Sequence, residues 1–366
     1  MKNSFEEENL NNLDEIQLVD LAEKLSDYED EKLNSLLEKL SDEDLARVLE
    51  EATPKIQKNI INCLTDSRMI EIFKYMSKDD IVDVLGVLNT GRRKQLVNTM
   101  KKGEQEIIKA LLGYKEDSAG GLMTTEYIAL YGDLTIEEAI KKIKEIVHKT
   151  EYIQTIYVMN KNKEIIGTAD LRDILTADNT TQLKDIMEDT FIYVEPERDQ
   201  EEVAKIVSKY DLNAVPVLNS KKRMLGIIMV DDIVDVIEEE HTEDILKMGG
   251  VAKEETLDST LLESIKMRLP WLLVNLLTAF LAAFTVKVFE NTIAQVVALS
   301  ATMSIVTGMG GNAGTQTVSI IIRNLAMGKV KFKEVGHLII KEITLGLING
   351  AIIGLVTRDY SCIYLS

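Results

Sequence analysis

The stretch from Thr292 to Ile322 reads TIAQVVALSATMSIVTGMGGNAGTQTVSIII and contains no charged residue. An uncharged apolar run of more than roughly 20 residues is long enough to cross a bilayer. Polar groups at membrane depth are tolerated only against other protein or a water-filled path. Asn312, Thr315 and Gln316, in the middle of the run, are therefore candidate pore-lining residues. Close helix packing at the Gly310/Gly314 spacing is the alternative.

The glycines in this run break its apolar pattern. Four of them fall between Gly308 and Gln316, together with the three polar candidates. Glycine weakens a helix and exposes its backbone. We therefore expect bare backbone near the middle of the membrane, which favours a site that handles an ion or another polar solute.

Charge divides the chain into two parts. From Lys266 onward, nine Lys and Arg stand against four Asp and Glu, so this part carries +5. The total of −19 then leaves −24 for the part of the chain before Lys266. Such an acidic part is unsuited to nucleic acid, and the usual reason for it is solubility. Its alternative role is to collect divalent cations.

Cysteine and histidine are too sparse for the common zinc and thiol sites. Cys63 and Cys362 lie far apart, and the chain has three histidines. A nucleophile with a neighbouring base, a phosphate loop and a redox motif are likewise not found, so we expect no enzyme. The acidic start, MKNSFEEENLNNLDE, has no apolar segment of the kind that marks a secretory signal, and we expect it to stay in the cytoplasm.

Residues 1–120 are predicted to form an acidic, all-α helical solenoid. Apolar residues recur at intervals of three and four, as in the stretch from Leu33 to Leu40. Joints that begin with Ser41 and Ser77 resemble helix N-termini, and their spacing looks irregular. Asp79 and Asp83 lie one helical turn apart and are candidate cation ligands. Ordinary capping of an acidic first turn is the alternative.

An internal repeat follows the glycine-rich joint at Gly120. IALYGDLTIEEAIKKI matches IYVEPERDQEEVAKIV at a shift of 64, and IYVMNKNKEIIGTADLRDIL matches VPVLNSKKRMLGIIMVDDIV at a shift of 59. Each copy predicts a strand, a helix, a strand, a turn, a strand beginning at Gly167 or Gly226, and a helix with acidic residues at its start. Neither copy buries its sheet alone, so we expect the two to pack together.

This repeat resembles the tandem CBS module, an α+β pair, with copies at 121–185 and 186–242. The resemblance implies a regulatory sensor with an adenosine nucleotide, such as ATP, in the cleft between the copies. It places Asp173 and Asp232 at the ribose-binding position, with Arg172 beside Asp173. The second copy departs by offering Asp231, Asp232 and Asp235, a set that repels phosphate and suits a divalent cation. An N-cap is the alternative for an Asp that opens a helix.

The chain then approaches the membrane. Residues 243–267 are predicted as a polar connecting helix that contains Glu243 and Asp244. Residues 268–366 are predicted as an α-helical transmembrane domain with spans at 270–289, 292–322 and 335–357. Pro270 suits a first helical turn, and Trp271 suits the interface. Basic residues before the first span and after the second place the N-terminal domains in the cytoplasm of a multi-pass plasma-membrane protein.

In this order the parts resemble the MgtE family of magnesium channels or transporters. Four motifs carry the resemblance: EDSAGGLMTTE from Glu116, EEEHTEDILKM from Glu238, RLPWLLVNLLTAFLAA from Arg268 and MGGNAGTQ from Met309. The family implies a homodimer in the bilayer that passes Mg²⁺ and closes when cytosolic Mg²⁺ bridges its acidic domains. Carried over by position, the bridging carboxylates are Asp79, Asp83, Asp199, Glu201, Asp211, Asp232, Asp235, Glu243 and Asp244.

The resemblance also implies five membrane helices, with a pore carboxylate in the fifth. We therefore expect this chain to be truncated and its transmembrane domain incomplete, because its sequence ends about three spans in. Glu342 lies near a membrane end and is not expected to replace that carboxylate. The alternative function is a membrane-tethered CBS protein that senses nucleotide or cation without transport.

Overall fold

The computed structural model describes residues 15–25, 30–150, 152–253, 255, 259–295, 297–326 and 335–364. The chain divides into two compact units, residues 1–236 and residues 237–366. The first unit holds short helices followed by small sheets, and the second holds long helices. A multidomain architecture of this kind is the predicted fold class.

Short helices form the front of the first unit. They are α1 (Glu15–Lys24), α2 (Asp30–Leu37), α3 (Asp42–Glu51), α4 (Pro54–Cys63), α5 (Asp66–Ile72), α6 (Lys78–Gly86), α7 (Thr90–Thr99) and α8 (Lys102–Leu111). The starts of α2 to α8 are evenly spaced, at positions 30, 42, 54, 66, 78, 90 and 102. The expected irregular spacing of the joints was wrong, because the joints follow a strict repeat.

Two features of the sequence enforce this repeat. The residue that precedes each helix falls at the same point of the repeat, and four such residues cap the helix with their side chains: Ser41, Thr65, Ser77 and Asn89. An aliphatic residue at the seventh position of each helix is buried: Leu36, Val48, Ile60, Ile72, Val84, Leu96 and Ile108. Each helix thus buries one stripe against its neighbours, as in a solenoid.

The tandem repeat follows in the same unit. The first copy contains α9 (Ala119–Leu122), β1 (Ala129–Tyr131), α10 (Ile136–Ile146), β2 (Thr155–Met159), β3 (Ile165–Asp170), α11 (Leu171–Thr176) and α12 (Leu183–Ile186). The second contains α13 (Gln200–Tyr210), β4 (Ala214–Leu218), β5 (Met224–Met229) and the start of α14 (Val230–Met248). Strand β2 pairs parallel with β1 and antiparallel with β3, and β4 pairs antiparallel with β5.

The two copies exchange their leading segments. Thr124, near the start of the first copy, exchanges two backbone hydrogen bonds of 2.8 and 2.9 Å with Ile227 in β5 of the second copy. Glu188, near the start of the second copy, does the same with Thr168 in β3 of the first, at 2.8 and 2.9 Å. The expected packing of the copies against each other is confirmed, since Tyr157 of β2 shares a buried cluster with strands of both copies.

Glycine is required where these segments cross. A Cβ at Gly167 would lie 2.5 Å from the Glu188 carbonyl oxygen, and one at Gly226 would lie 2.5 Å from the Thr124 carbonyl oxygen. Both glycines are the third residue of their strand. The prediction that the strands begin at these glycines was therefore two residues late. Each glycine lies where the backbone of the other copy passes close to the strand.

The second unit contains the rest of α14, then α15 (Leu261–Val288), α16 (Glu290–Gln295), α17 (Val297–Ala326) and α18 (Val335–Tyr364). The predicted connecting helix at 243–267 is not one helix. Helix α14 runs through the predicted boundary to Met248, residues 249–253 are not helical, and α15 begins at Leu261. Gly250 turns the chain with φ +69°, where a Cβ would overlap the Trp271 ring.

Helix α15 begins earlier than predicted. Thr260 and Glu263 form a capping box, in which the Thr260 N–H donates to Glu263 Oε2 at 2.9 Å. Pro270 consequently lies inside the helix, and its predicted place in the first turn was wrong. The first and third predicted spans coincide with the described helices that are long and apolar enough to cross a membrane, Leu261–Val288 and Val335–Arg358.

The second predicted span behaves differently. Helix α17 is continuous for 30 residues, which confirms a helix at this span, and the glycine-rich stretch from Gly308 does not break it. This helix is not among the two that are apolar enough to qualify as spans. Its glycines, amides and hydroxyls explain why, since they lower its hydropathy. A Cβ at Gly308, Gly310, Gly311 or Gly314 would meet nothing within 4 Å.

Candidate metal centre

Five partly buried carboxyl groups of the first unit influence one another electrostatically. They come from the end of α3, the start of α6, the segment before β1 and the start of α14: Glu50, Asp79, Asp80, Glu126 and Asp232. We call this set the carboxylate cluster. Its members link the helical solenoid to the second CBS copy.

The repeat of the solenoid positions the α6 members. Ser77 ends the preceding loop, and its Oγ accepts the Asp80 N–H at 3.3 Å, which starts the helix. The Ser77 hydroxyl also lies 2.7 Å from Asp79 Oδ1 and 2.6 Å from Asp80 Oδ2. A hydroxyl has one proton to donate, so the two carboxylates compete for it. The cap thus holds two acidic side chains next to each other.

Thr124 connects this helix turn to the second copy. Its side chain lies near enough to Asp79 to lower the pKa of that carboxyl, and its backbone pairs with Ile227 in β5. Strand β5 leads directly into α14, where the Met229 N–H donates to Asp232 Oδ2 at 3.4 Å. A continuous path of backbone and side-chain contacts therefore holds Asp79 and Asp232 near each other.

Burial raises the pKa of every member of the cluster, and the charge of a neighbouring carboxylate adds to this for every member except Asp79. Burial, followed by the charges of Asp79 and Asp231, raises the pKa of Asp232 to about 8. Burial and then the charge of Asp80 raise the pKa of Glu50 to about 7, and burial and Asp79 raise the pKa of Asp80 to about 6.

The remaining two members follow the same pattern. Burial raises the pKa of Asp79, against hydrogen bonds from Ser77 and Thr124 that lower it. Burial also raises the pKa of Glu126, although Lys78 Nζ lies 3.5 Å from Glu126 Oε1 and lowers it. A positive charge near a carboxyl group stabilises its ionised form and lowers its pKa. The raised pKa values of the cluster therefore show that its carboxyl groups have too little positive charge around them.

The cluster includes some of the predicted ligands and leaves others out. Asp79 and Asp232, which were predicted as ligands from separate parts of the sequence, both belong to it, and metal binding by them stays a prediction. Asp83 and Asp235, one turn further along their helices, are exposed. Asp173 was weighed as an N-cap, and that was wrong: Asp170 caps α11, where its Oδ1 accepts the Arg172 N–H at 2.7 Å. Arg172 and Asp173 are both exposed, and their nucleotide role stays a prediction.

Three further predicted ligands have local roles at the ends of α13. Asp199 caps the helix, and its Oδ1 accepts the Glu201 N–H at 3.0 Å. Glu201 pairs with Lys205 at 2.7 Å. Asp211 ends the helix in the left-handed conformation, with φ 52°. These roles explain the residue types, and metal binding by the three stays a prediction.

The predicted ligands of the second unit lie in the last turns of α14. Glu243 forms ion pairs with Lys247 and, at 3.8 Å, with Lys253. Asp244 is partly buried. Their role in bridging domains stays a prediction. The pore candidates Asn312, Thr315 and Gln316 are exposed on α17, and Thr315 Oγ1 donates to the Gly311 carbonyl at 3.1 Å.

The donor chemistry of the carboxylate cluster fits a hard divalent cation. Carboxylate oxygens are the ligands that Mg²⁺ takes, and the ion keeps several of its waters, so one or two direct carboxylates suffice. Within the described residues, no three or more His, Cys, Asp or Glu side chains are close enough to hold an ion directly. The cluster therefore suits a hydrated ion that bridges carboxylates through its water.

Sequence reasoning missed three members: Glu50, Asp80 and Glu126. Asp80 had a signal, because it follows Asp79 in a capped first turn of the kind that recurs through the solenoid. Glu50 and Glu126 had none, since they join the cluster only through the folding of α3 and of the segment after Thr124.

Family models match three parts of the chain. The model described as the MgtE intracellular N domain matches residues 16–117, CBS domain models match residues 119–179 and 183–239, and the model described as a divalent cation transporter matches residues 303–365.

Curated relatives and a solved structure agree with these matches. The magnesium transporter MgtE of Thermus thermophilus is 32% identical, over 92% of this chain and 82% of the relative. The magnesium transporter MgtE of Bacillus subtilis is 29% identical, over 96% of this chain and 78% of the relative. A crystal structure of the cytosolic domain of the Mg²⁺ channel MgtE in complex with ATP is 31% identical, with a TM-score of 0.59, over 62% of this chain and 92% of that one.

Proposed function

The chain belongs to the MgtE family of magnesium transporters, as its motifs indicated, and on that premise we propose that it carries Mg²⁺ across a membrane under control of cytosolic Mg²⁺. The carboxylate cluster is the observation that carries the sensing half of this proposal. Half-buried carboxylates that repel one another hold the solenoid and the second CBS copy together poorly until a cation neutralises them.

The sensing mechanism follows from charge. Without divalent ions, Asp79, Asp80 and Asp232 ionise reluctantly next to one another, and the negative charge that they do carry loosens the arrangement of the start of α6 against the start of α14. Bound Mg²⁺ cancels the repulsion and favours the compact arrangement, which shifts the population of states toward it. Because several carboxylates share the ions, each ion makes the next bind better, and the response is steep.

The transport path in this proposal runs along α17. Asn312, Thr315 and Gln316 offer oxygens to the water shell of Mg²⁺, which the ion gives up reluctantly. The open surface around Gly308 to Gly314 leaves room for a neighbouring helix, such as one of a second copy in a homodimer. Positive-inside counting supports a multi-pass topology with the acidic part in the cytoplasm.

ATP is a second candidate ligand. Its support is the solved relative, which is described in complex with ATP. In this chain the predicted nucleotide residues Arg172 and Asp173 are exposed and available at the start of α11. Arg172→Ala is expected to weaken ATP binding in calorimetry, and unchanged binding would remove Arg172 from the site.

Transport is tested with the full chain in lipid vesicles that contain a Mg²⁺-sensitive dye. We expect uptake that falls when Mg²⁺ faces the acidic domains, and a shift of that inhibition to higher Mg²⁺ in the double variant Asp232→Asn/Asp235→Asn. Matched control vesicles carry Asp173→Asn, which keeps the cluster intact. Mg²⁺-dependent compaction without any uptake would instead favour a sensor that does not transport.

A further inference from the structure

A side-chain hydrogen bond joins two long helices of the second unit. Thr317 Oγ1 in α17 donates to Glu342 Oε2 in α18 across 2.8 Å, and both side chains are partly buried. By contrast, Thr307, Thr315 and Ser319 of α17 donate to the carbonyl four residues earlier in their own helix. The Thr317 hydroxyl therefore fixes α17 against another element.

This bond lies on the opposite side of α17 from the predicted pore residues. A helix turns about 100° per residue, so Asn312 and Thr315 lie about 140° and 160° around the axis from Thr317. Gln316 lies about 100° away, between the two faces. One side of the helix contacts α18, and the other presents the asparagine and the threonine.

The hydrogen bond from Thr317 also gives the Glu342 carboxylate a polar partner. An acidic side chain on an apolar membrane helix is costly unless it reaches water or has a partner. Hydrogen bonds to such a group are stronger than those between neutral groups. If α17 turned about its axis, the Thr317 hydroxyl would leave Glu342 and the carboxylate would lose this partner. One rotation of α17 is therefore preferred.

We propose that Glu342 is a positioning residue for ion passage: by accepting the Thr317 hydroxyl, it fixes the rotation of α17 so that Asn312 and Thr315 face away from α18. This inference rests on the transport function proposed above. Glu342 acts through Thr317 and does not itself contact the ion.

Thiol labelling reports the rotation without depending on transport. In the full chain, with Cys63→Ser and Cys362→Ser, a single cysteine is placed by Asn312→Cys or by Ala313→Cys, whose position is about 40° from Thr317. A membrane-impermeant thiol reagent is expected to react about tenfold faster at position 312 than at 313, because position 313 lies toward α18. Thr317→Val and Glu342→Leu are each expected to reduce this ratio to about threefold or less.

Conservative variants separate positioning from general damage. Thr317→Ser keeps the donor and Glu342→Gln keeps an acceptor, so both are expected to restore the ratio. Thr307→Val is the matched control, since it removes a hydroxyl of the same helix that bonds only within that helix. An unchanged ratio in Thr317→Val would overturn the proposal, even if Glu342→Leu failed to insert.

Uptake measurements on the same variants distinguish the two proposals. Thr317→Val and Glu342→Leu are each expected to slow Mg²⁺ uptake about tenfold, and the double variant no further, because both remove one bond. Slowed uptake with unchanged labelling would overturn the positioning role. A labelling contrast that depends on Thr317, in a chain without uptake, would overturn transport and leave the positioning intact.

Discussion

The two CBS copies place an aspartate at the third residue of the helix that follows their last strand, and the two aspartates differ in chemistry. Asp173 is exposed at the start of α11. Asp232 is partly buried at the start of α14, and burial and neighbouring carboxylates raise its pKa to about 8. A repeated fold thus supplies the position, and the element packed against it supplies the chemistry.

The largest expected effect tests the symmetry of the two copies. Gly167→Ala and Gly226→Ala should each lower the free energy of unfolding by about 1–3 kcal/mol, because the new Cβ overlaps a crossing backbone. Urea denaturation of the segment 1–250 measures this. Gly103→Ala in α8, where a Cβ meets nothing within 4 Å, is the matched control. If only one of the two variants lost stability, the close backbone crossing would matter in one copy and not in the other.

The next effect tests the difference in surroundings between Asp173 and Asp232. Without divalent ions at about pH 8, Asp232→Asn should raise the free energy of unfolding by about 1 kcal/mol, because it removes a repelling charge. Asp173→Asn should change it by less than about 0.5 kcal/mol, as exposed substitutions usually do. Equal effects of Asp232→Asn and Asp173→Asn in thermal or urea unfolding would mean that neighbouring carboxylates do not repel Asp232.

The pH dependence of the same segment follows from the raised pKa values. A carboxyl whose pKa is higher in the folded state binds more protons there, so stability falls as pH rises. Glu50, Asp80 and Asp232 place this loss between about pH 4 and pH 8. Thermal unfolding without divalent ions should show it, and saturating Mg²⁺ should flatten it. A melting temperature that rises with pH over this window would contradict the raised pKa values of the carboxylate cluster.

The smallest expected effect concerns Asp199. Asp199→Ala removes the N-cap of α13 and should cost about 1 kcal/mol, whereas Asp199→Asn keeps the cap and should cost little. Both should reduce stabilisation by Mg²⁺ less than Asp232→Asn does. A larger loss of the Mg²⁺ response in Asp199→Asn would make Asp199 a principal ligand, as the family resemblance implies.

Much of the fold could be predicted from sequence because its signals are local. The two matched pairs of segments after Gly120 predicted the paired copies, and separate runs predicted Asp79 and Asp232. The even spacing of the solenoid helices is also present in the sequence, in the capping residues from Ser41 to Asn89. Helix α17 was predicted from its uncharged apolar run, and its four glycines do not interrupt it.

The rest of the site could not be predicted, because it depends on contacts between distant parts of the chain. Glu50 and Glu126 lie far apart in sequence and meet the cluster only in the folded unit. The capping role of Asp170, three residues before Asp173, likewise depends on where β3 ends. Patterns identify elements, and tertiary packing decides which acidic residues become buried.

Proton release on Mg²⁺ binding tests the central claim most directly. Ligand carboxylates must lose their protons to bind a metal. Titration calorimetry of the segment 1–250 at about pH 7, in two buffers of different ionisation enthalpy, counts the protons released. We predict that Mg²⁺ binding releases protons in the unmodified segment and in Asp173→Asn, and clearly fewer in Asp232→Asn. Mg²⁺ binding with no proton release, or equal release in all three, would contradict the account.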